Sequence, residues 1–286
     1  LHNWAFNRLG HPGVYFAWEK DRGQLADFMK AVRSLPVHGL SVTIPHKESV
    51  AEFLDALTPG AQAVGAVNTL FWRDGTLWGD NTDVTGFLSP LGGSSLSGLS
   101  STSHLDAGSG ADCTATTGLP QRALLLGGGG VSRAALAGLR ELGFSDVMVA
   151  VRSPDKARAL ADDFGCRLIP WDERERVALD MESVLLINAT PLGMRGRDQD
   201  SSPLPESFWT RLADRGGKAG STVAYDLVYT PVETLFLRQA KSKGFRTIDG
   251  LSFFMAQARE QFRLWTGLDM PDDVAAKARE LVLSRL

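Results

Sequence analysis

The chain has 286 residues, 43% of them hydrophobic and 22% charged, with a formal net charge of −3. This is globular composition, long enough for one large or two medium domains, and it lacks the basic excess of a general nucleic-acid binder. No apolar run approaches the roughly 18 residues of a membrane span, and no signal-peptide pattern is visible from Leu1 onward. The two cysteines, Cys113 and Cys166, have no metal-type spacing, so the expectation is a cytoplasmic protein with reduced thiols.

In chain order, residues 24–35 space Leu25, Phe28, Met29 and Val32 on one helical face. Residues 39–44 (GLSVTI) read as a strand burying Val42 and Ile44, with Thr43 on the opposite face and Pro45 ending the ladder. A helix is expected over 49–57 with Ser49 as its N-cap. Two short strands, 66–72 and 76–80, are joined by a turn at Arg73-Asp74-Gly75. From 92 to 121 the composition changes to Ser, Gly and Thr without periodicity, which reads as a flexible insertion or linker. A strand–loop–helix unit follows over 123–143, then a strand at 146–153 and a helix at 153–165, where Ser153 suits a cap and Pro154 the first turn. Strands at 184–194 and 221–229 and a helix at 230–244, ended by Gly244, continue the alternation. The tail from 251 reads as two helices. Strands separated by helices of this length predict a parallel sheet covered on both faces.

The run Gly127, Gly128, Gly129, Gly130 follows a strand of leucines and opens a helix. Glycines there let the backbone approach a pyrophosphate, and free N–H groups at the helix start favour anionic oxygens. A strand-to-helix turn without ligand would look similar; the flanking strand and helix favour the nucleotide. The next strand ends in Arg152, with Lys156 one turn on and no acid at its tip, which favours the 2′-phosphate of NADP over NAD; Asp155 at the helix start suits the macrodipole. Lys47, Asn68 and Asp83 all sit at strand ends, where open α/β sheets gather ligand groups, and would suit a small polyhydroxylated substrate. As single residues Asn68 and Asp83 would pass for turn punctuation. Gln257 and Gln261 lie among the apolar residues Phe254, Ala258 and Phe262 of one helix, as candidate ligands or as surface polarity. The five histidines have no metal-site spacing, so no metal is expected, and no G-x-S-x-G elbow is present.

Together these stretches resemble the shikimate dehydrogenase family. "SVTIPHK" is similar to its N-V-T-[IV]-P-x-K signature, "GAVNTL" and "GDNTDVTGF" to its A-V-N-T and G-x-N-T-D-x-x-G-F blocks, and "LLLGGGGVSRA" to its L-G-A-G-G-A-S-R-A turn. "INATPLGM", "YDLVYTPVETLFL" and "GLSFFMAQAREQFRLWTG" follow in the family's order. The resemblance implies an α/β fold of two domains with a cleft between them. An N-terminal open α/β substrate domain would comprise 1–86 plus 251–286, and a Rossmann-like NADP-binding domain 87–250. It implies reduction of 3-dehydroshikimate to shikimate with NADPH in aromatic amino-acid biosynthesis. Lys47 and Asp83 would be the catalytic pair, and Thr43, Asn68, Gln257 and Tyr229 would hold the substrate with them. Gly127 to Val131, Arg152, Ser153 and Lys156 would bind NADP, with Thr190, Leu227 and Gly250 along its inner part. Partners would be the small-molecule substrate alone, without nucleic acid or membrane, in a monomer or homodimer.

The chain departs from the family pattern at three places. The family's Ser-x-Ser-Pro block, whose serines bind the substrate carboxylate, precedes the position of Leu1. The family's N-R-T at the NADP phosphate is Val151-Arg152-Ser153 here, and most of 92–121 has no family counterpart. Three other readings stay open: a quinate/shikimate dehydrogenase using NAD or NADP, a non-catalytic ligand sensor, and one module of a larger multifunctional chain.

Overall fold

A computed structural model describes residues 1–92, 119–181, 183–215 and 222–284. The expected insertion at 92–121 falls almost wholly outside them, and Cys113 wholly so. The chain divides into two compact units, Leu1–Gly86 with Phe254–Leu286, and Phe87–Phe253.

The first unit opens with α1 (His2–Leu9) and α2 (Leu25–Val32), the latter preceded by a 3-10 turn at Arg22–Gln24. Then come β1 (Gly39–Ser41), a 3-10 turn (Ser49–Phe53), β2 (Ala56–Leu57), α3 (Pro59–Val64), β3 (Thr69–Arg73) and β4 (Thr76–Asp80). The four strands form one sheet in the order β1-β3-β4-β2. β3 and β4 are a hairpin whose two-residue turn has Asp74 and Gly75 at φ 50° and 74°, the left-handed pair that matches the twist of its strands. The apolar face predicted for α2 is buried with Leu70 and Leu77 of the hairpin, Val50 and Val67.

Two expectations fail here. The strand at 39–44 stops at Ser41, and Ile44 is 81% exposed instead of buried. Val42 N still takes the Asn68 carbonyl at 2.7 Å, but His46 N then bonds the Thr43 carbonyl, so the chain turns and Ile44 leaves the sheet. The helix at 49–57 is only one 3-10 turn with Glu48, not Ser49, at its N-cap. Asp55 is the cause: its backbone N–H bonds the Leu77 carbonyl and its carboxylate accepts Leu77 N–H and the Arg33 guanidinium, so the chain joins the sheet as β2.

α4 (Thr82–Leu88) leads into the second unit. Its elements are β5 (Arg122–Leu126), α5 (Gly130–Glu141), β6 (Asp146–Val151), α6 (Arg158–Phe164), β7 (Arg167–Pro170), α7 (Arg174–Leu179), β8 (Val184–Asn188), α8 (Glu206–Asp214), β9 (Thr222–Asp226), α9 (Leu235–Ser242) and β10 (Arg246–Ile248). All six strands are parallel, in the order β10-β9-β8-β5-β6-β7. Read from the other edge this is the doubly wound 3-2-1-4-5-6 order, with its switch point between β5 and β8. The strands are near-continuous apolar runs because both faces are covered. α10 (Gly250–Thr266) and α11 (Asp272–Ser284) close the chain; Phe262 of α10 packs with Ala5, Phe6, Met270 and Val274, while Phe254 is only half-buried.

At the carboxyl edge of this sheet one buried carboxylate ties two loops together. Asp226, fully buried at the end of β9, accepts Asn188 Nδ2 at 3.0 Å, Val228 N at 2.9 Å and the Thr234 hydroxyl at 2.6 Å. Asn188 ends β8, donates also to the Leu192 carbonyl, and accepts both N–H and O–H of Thr190. Burial pushes the Asp226 carboxyl up to about 7, against the lowering effect of its three donors. The folded state therefore holds this proton more tightly than the unfolded chain, whose Asp titrates near 3.9. Stability from this group is full below about pH 4 and is lost as pH rises through about 7. The expected outcome for Asp226→Asn is a melting temperature that gains on the wild type as pH rises from about 4 to about 7. A difference that stays constant over pH 4–8 would show that the carboxyl does not titrate there.

Candidate active site

Three stretches of the first unit meet around one carboxylate. The turn after β1 is tied to the chain entering β3, because Val67 N bonds the Lys47 carbonyl at 2.7 Å and Val42 N bonds the Asn68 carbonyl. Asn68 N in turn bonds the Asp80 carbonyl at the end of β4. Asn81 then shapes the turn into α4: its Nδ2 donates to the Ala66 carbonyl and its Oδ1 accepts Asp83 N. Three backbone segments are thereby fixed before any side chain is considered.

On this frame Lys47 Nζ donates to Asp83 Oδ2 at 2.6 Å, and Asn68 Nδ2 donates to Asp83 Oδ1 at 2.9 Å. Asn68 Nδ2 also reaches Gln257 Oε1 of α10 at 3.3 Å. The Asp83 side chain is 7% exposed and that of Lys47 25%. A pair this far out of water needs both its charge partner and its hydrogen bonds satisfied. Each Asp83 oxygen has one donor, and the ammonium has one carboxylate. Among the described residues Lys47 Nζ has no second acceptor, and none accepts from Gln257 Nε2. Thr43 stands exposed on the same turn, its hydroxyl unbonded among the described residues. Chemically, this is a set of donors around one carboxylate, able to hold the oxygens of a polar molecule and to give one of them a proton.

Of the residues expected at the substrate, the structure brings Lys47, Asn68, Asp83 and Gln257 together. Thr43 shares only their turn. Tyr229 lies in the second unit, in the loop after β9, and is partly exposed. His46 is a neighbour whose Nε2 meets the Lys20 carbonyl at 2.8 Å.

The residues expected at the cofactor all follow the carboxyl ends of parallel strands of the second unit. Gly127 adopts φ 104°, and a Cβ there would lie 2.7 Å from Thr190 Cγ2, so only glycine lets the β5–α5 turn lie against the loop after β8. A Cβ on Gly250 would collide with the Val228 carbonyl, which is why α10 begins on a glycine beside the loop carrying Leu227. Gly129 and Gly130 have open space above them, and no side chain caps α5. Ser132, in the place of a third glycine, is buried with its hydroxyl on the Gly127 carbonyl at 2.9 Å. Val131 follows in the first turn of α5. Arg152, Ser153 and Lys156 are exposed after β6, while Val151 is buried under Gly128. Ser153 makes no capping bond to the 3-10 turn that it precedes. Asp155 pairs with Arg158 at 3.6 Å, and no ion pair engages Arg152 or Lys156 among the described residues.

Sequence reasoning passed over Asn188 and Asp226, although each is a polar residue ending an otherwise apolar strand. It also passed over Thr69 and Thr82, each beside a candidate and each fully buried. Gln261 is buried and bonded to Thr69 and Ser41, not a surface residue.

The model of the shikimate dehydrogenase substrate-binding domain matches residues 1–70, and that of the shikimate 5′-dehydrogenase C-terminal domain matches 250–278. A shikimate dehydrogenase (NADP+) of Oleidesulfovibrio alaskensis is 44% identical over 286 residues, all of this chain and 90% of that one. The crystal structure of shikimate 5-dehydrogenase from Thermus thermophilus in complex with NADP(H) and shikimate has a TM-score of 0.74 at 35% identity, over 99% of this chain and 93% of that one. Quinate dehydrogenase from Corynebacterium glutamicum in complex with NAD has a TM-score of 0.78 at 26% identity, over 99% and 92%. With these relatives matched along almost its whole length, the chain belongs to the shikimate dehydrogenase family.

Proposed function

We propose that this protein is an NADP-dependent shikimate dehydrogenase, reducing the C3 carbonyl of 3-dehydroshikimate to the alcohol of shikimate. The observation that carries the reading is the Lys47–Asp83 pair, an ammonium held at 2.6 Å by a nearly buried carboxylate and flanked by two amide side chains. Full-length relatives named for this activity and this cofactor support it.

The second unit fits a dinucleotide phosphate. The open space over Gly129 and Gly130, which any Cβ would fill, leaves the uncapped start of the twelve-residue α5 free for pyrophosphate oxygens. Gly127 to Val131 would hold that group, with Thr190, Leu227 and Gly250 along the inner part. Arg152, Ser153 and Lys156 would take the 2′-phosphate, two cations with no ion-pair partner among the described residues.

A dihydronicotinamide held by these residues would supply the hydride for the carbonyl carbon. Negative charge then builds on the carbonyl oxygen, and Lys47 Nζ stabilises it and delivers the proton that completes the alcohol. Asp83 Oδ2 holds the ammonium head in place and balances its charge during the transfer. Gln257 and Thr43 orient the ring through its hydroxyls, and Asn68 holds Asp83 and Gln257 in place. In this reading the small-molecule substrate is the only partner, with no nucleic acid, in a cytoplasmic monomer or homodimer that serves aromatic amino-acid biosynthesis.

Lys47→Ala should keep most of the substrate affinity and lose kcat by about 10²- to 10⁴-fold, the worth of a positioned general acid. Weakened substrate binding with kcat intact, in the same steady-state assay, would contradict the role. Arg152→Ala should raise KM for NADPH by about 10-fold or more, as for a lost charge-assisted hydrogen bond, and leave KM for NADH almost unchanged. Equal effects on both cofactors would remove the 2′-phosphate assignment. The same assay run with quinate and NAD decides between the proposed activity and a quinate dehydrogenase.

A further inference from the structure

Asn68 spends all of its hydrogen-bonding capacity inside the protein, and the pattern has a direction. Its Oδ1 accepts Thr82 N at 2.8 Å, the Thr69 hydroxyl at 2.7 Å and, more distantly, the Thr82 hydroxyl at 3.2 Å. A backbone N–H can only donate, so the atom facing it is the amide oxygen and the nitrogen faces the other way. Both protons of Nδ2 are then committed, one to Asp83 Oδ1 and one to Gln257 Oε1.

The Thr69 hydroxyl has a single proton. Gln261 Nε2 donates to its oxygen at 3.0 Å, and the Gln261 carbonyl is held in turn by the Ser41 hydroxyl at 3.1 Å. With Gln261 as donor, the Thr69 proton goes to Asn68 Oδ1 at 2.7 Å, the nearer acceptor, and the Thr82 hydroxyl stands at 3.3 Å. A one-way chain therefore runs from Ser41 through Gln261, Thr69 and Asn68, and forks to Asp83 and Gln257. Thr69 and Gln261 are both buried, so neither is a substrate ligand.

We infer that Thr69 and Gln261 are positioning residues that act through Asn68, whose orientation Thr82 N fixes, to hold its two donors on Asp83 and Gln257 and with them the donor polarity of the substrate site. The inference rests on the reading that this cluster holds the substrate. The Gln257 carbonyl faces its donor on Asn68, so Gln257 turns its NH2 group the other way. Lys47 presents its two remaining N–H bonds. Substrate oxygens therefore meet donors at both residues and find their acceptor at Asp83. Without the Thr69 hydroxyl the Asn68 oxygen keeps its Thr82 donors but loses the shortest of its bonds, so the carboxamide tilts and its two N–H bonds to Asp83 and Gln257 lengthen.

The test compares Thr69→Val, which keeps the shape and the β-branch of this strand residue, with Thr69→Ser, which keeps the hydroxyl. Thr69→Val should lower kcat for 3-dehydroshikimate about 10- to 100-fold. KM for NADPH should stay unchanged, and Thr69→Ser should recover kcat to within about three-fold. Gln261→Met cuts the relay one bond earlier and should lower kcat in the same direction, which keeps the test open should Thr69→Val not fold. A second readout needs no turnover: the side-chain amide ¹H–¹⁵N pair of Asn68, assigned by its disappearance in Asn68→Asp, should shift and exchange faster with solvent in Thr69→Val and stay in place in Thr69→Ser. An inactive wild type that still shows this behaviour would overturn the proposed function and leave the relay standing. An unmoved Asn68 pair with wild-type kcat in Thr69→Val, or equal losses in the Val and Ser variants, would overturn the relay.

Discussion

An ammonium and a carboxylate taken largely out of water, Lys47 against Asp83, set the conditions that the rest of the first unit meets. Neither charge tolerates burial without the other, and the carboxylate needs a donor on its second oxygen as well. Asn68 supplies that donor. To supply it dependably, Asn68 must be prevented from turning over, and the buried hydroxyls and amide around its oxygen do this. The backbone follows the same requirement. The chain leaves the sheet after Ser41 so that Lys47 can return to it through Val67, and α4 starts beside Asn81 so that Asp83 faces the lysine.

The second unit is organised by close approach instead of charge. Gly127 and Gly250 are the points at which strand-end loops touch backbone to backbone or backbone to side chain, and a Cβ at either would force them apart. Asp226 and Asn188 then cross-link the two loops that carry Thr190 and Leu227. A fully buried carboxyl raised to about 7 is the thermodynamic cost of this cross-link. What it secures is the position of loop residues that would otherwise drift at the sheet's open edge. The residues proposed for the substrate and those proposed for the cofactor thus rest on two different physical devices, one in each unit.

Much of this was legible in the amino-acid sequence, for identifiable reasons. The apolar strands of the parallel sheet, the glycine run between β5 and α5, and the Asp74-Gly75 hairpin turn are local signals, readable from neighbours in the chain. Lys47, Asn68 and Asp83 became legible as a group because all three lie at strand ends within a short span. Ile44 was misread because its β-branched neighbourhood looks like strand, whereas the hydrogen bond from His46 to Thr43 turns the chain away. The helix expected after Ser49 lost to Asp55, whose partners Leu77 and Arg33 are distant in sequence. Thr69 and Asp226 stayed hidden, and the buried place of Gln261 with them, for the same reason: what they do depends on long-range partners, up to 220 positions away for the Gln261–Ser41 bond. Propensity and spacing carry no trace of such a contact.

In the proposed reaction Lys47 and Asp83 act as one proton-delivering unit. A double-mutant cycle with Lys47→Ala, Asp83→Asn and the pair, read in kcat for 3-dehydroshikimate reduction by NADPH, tests it most directly. The account predicts that the double variant is no worse than the poorer single variant, within about three-fold, because removing either partner already disables the unit. Losses that multiply, each substitution costing as much in the presence of the other as alone, would show two independent residues and contradict the account.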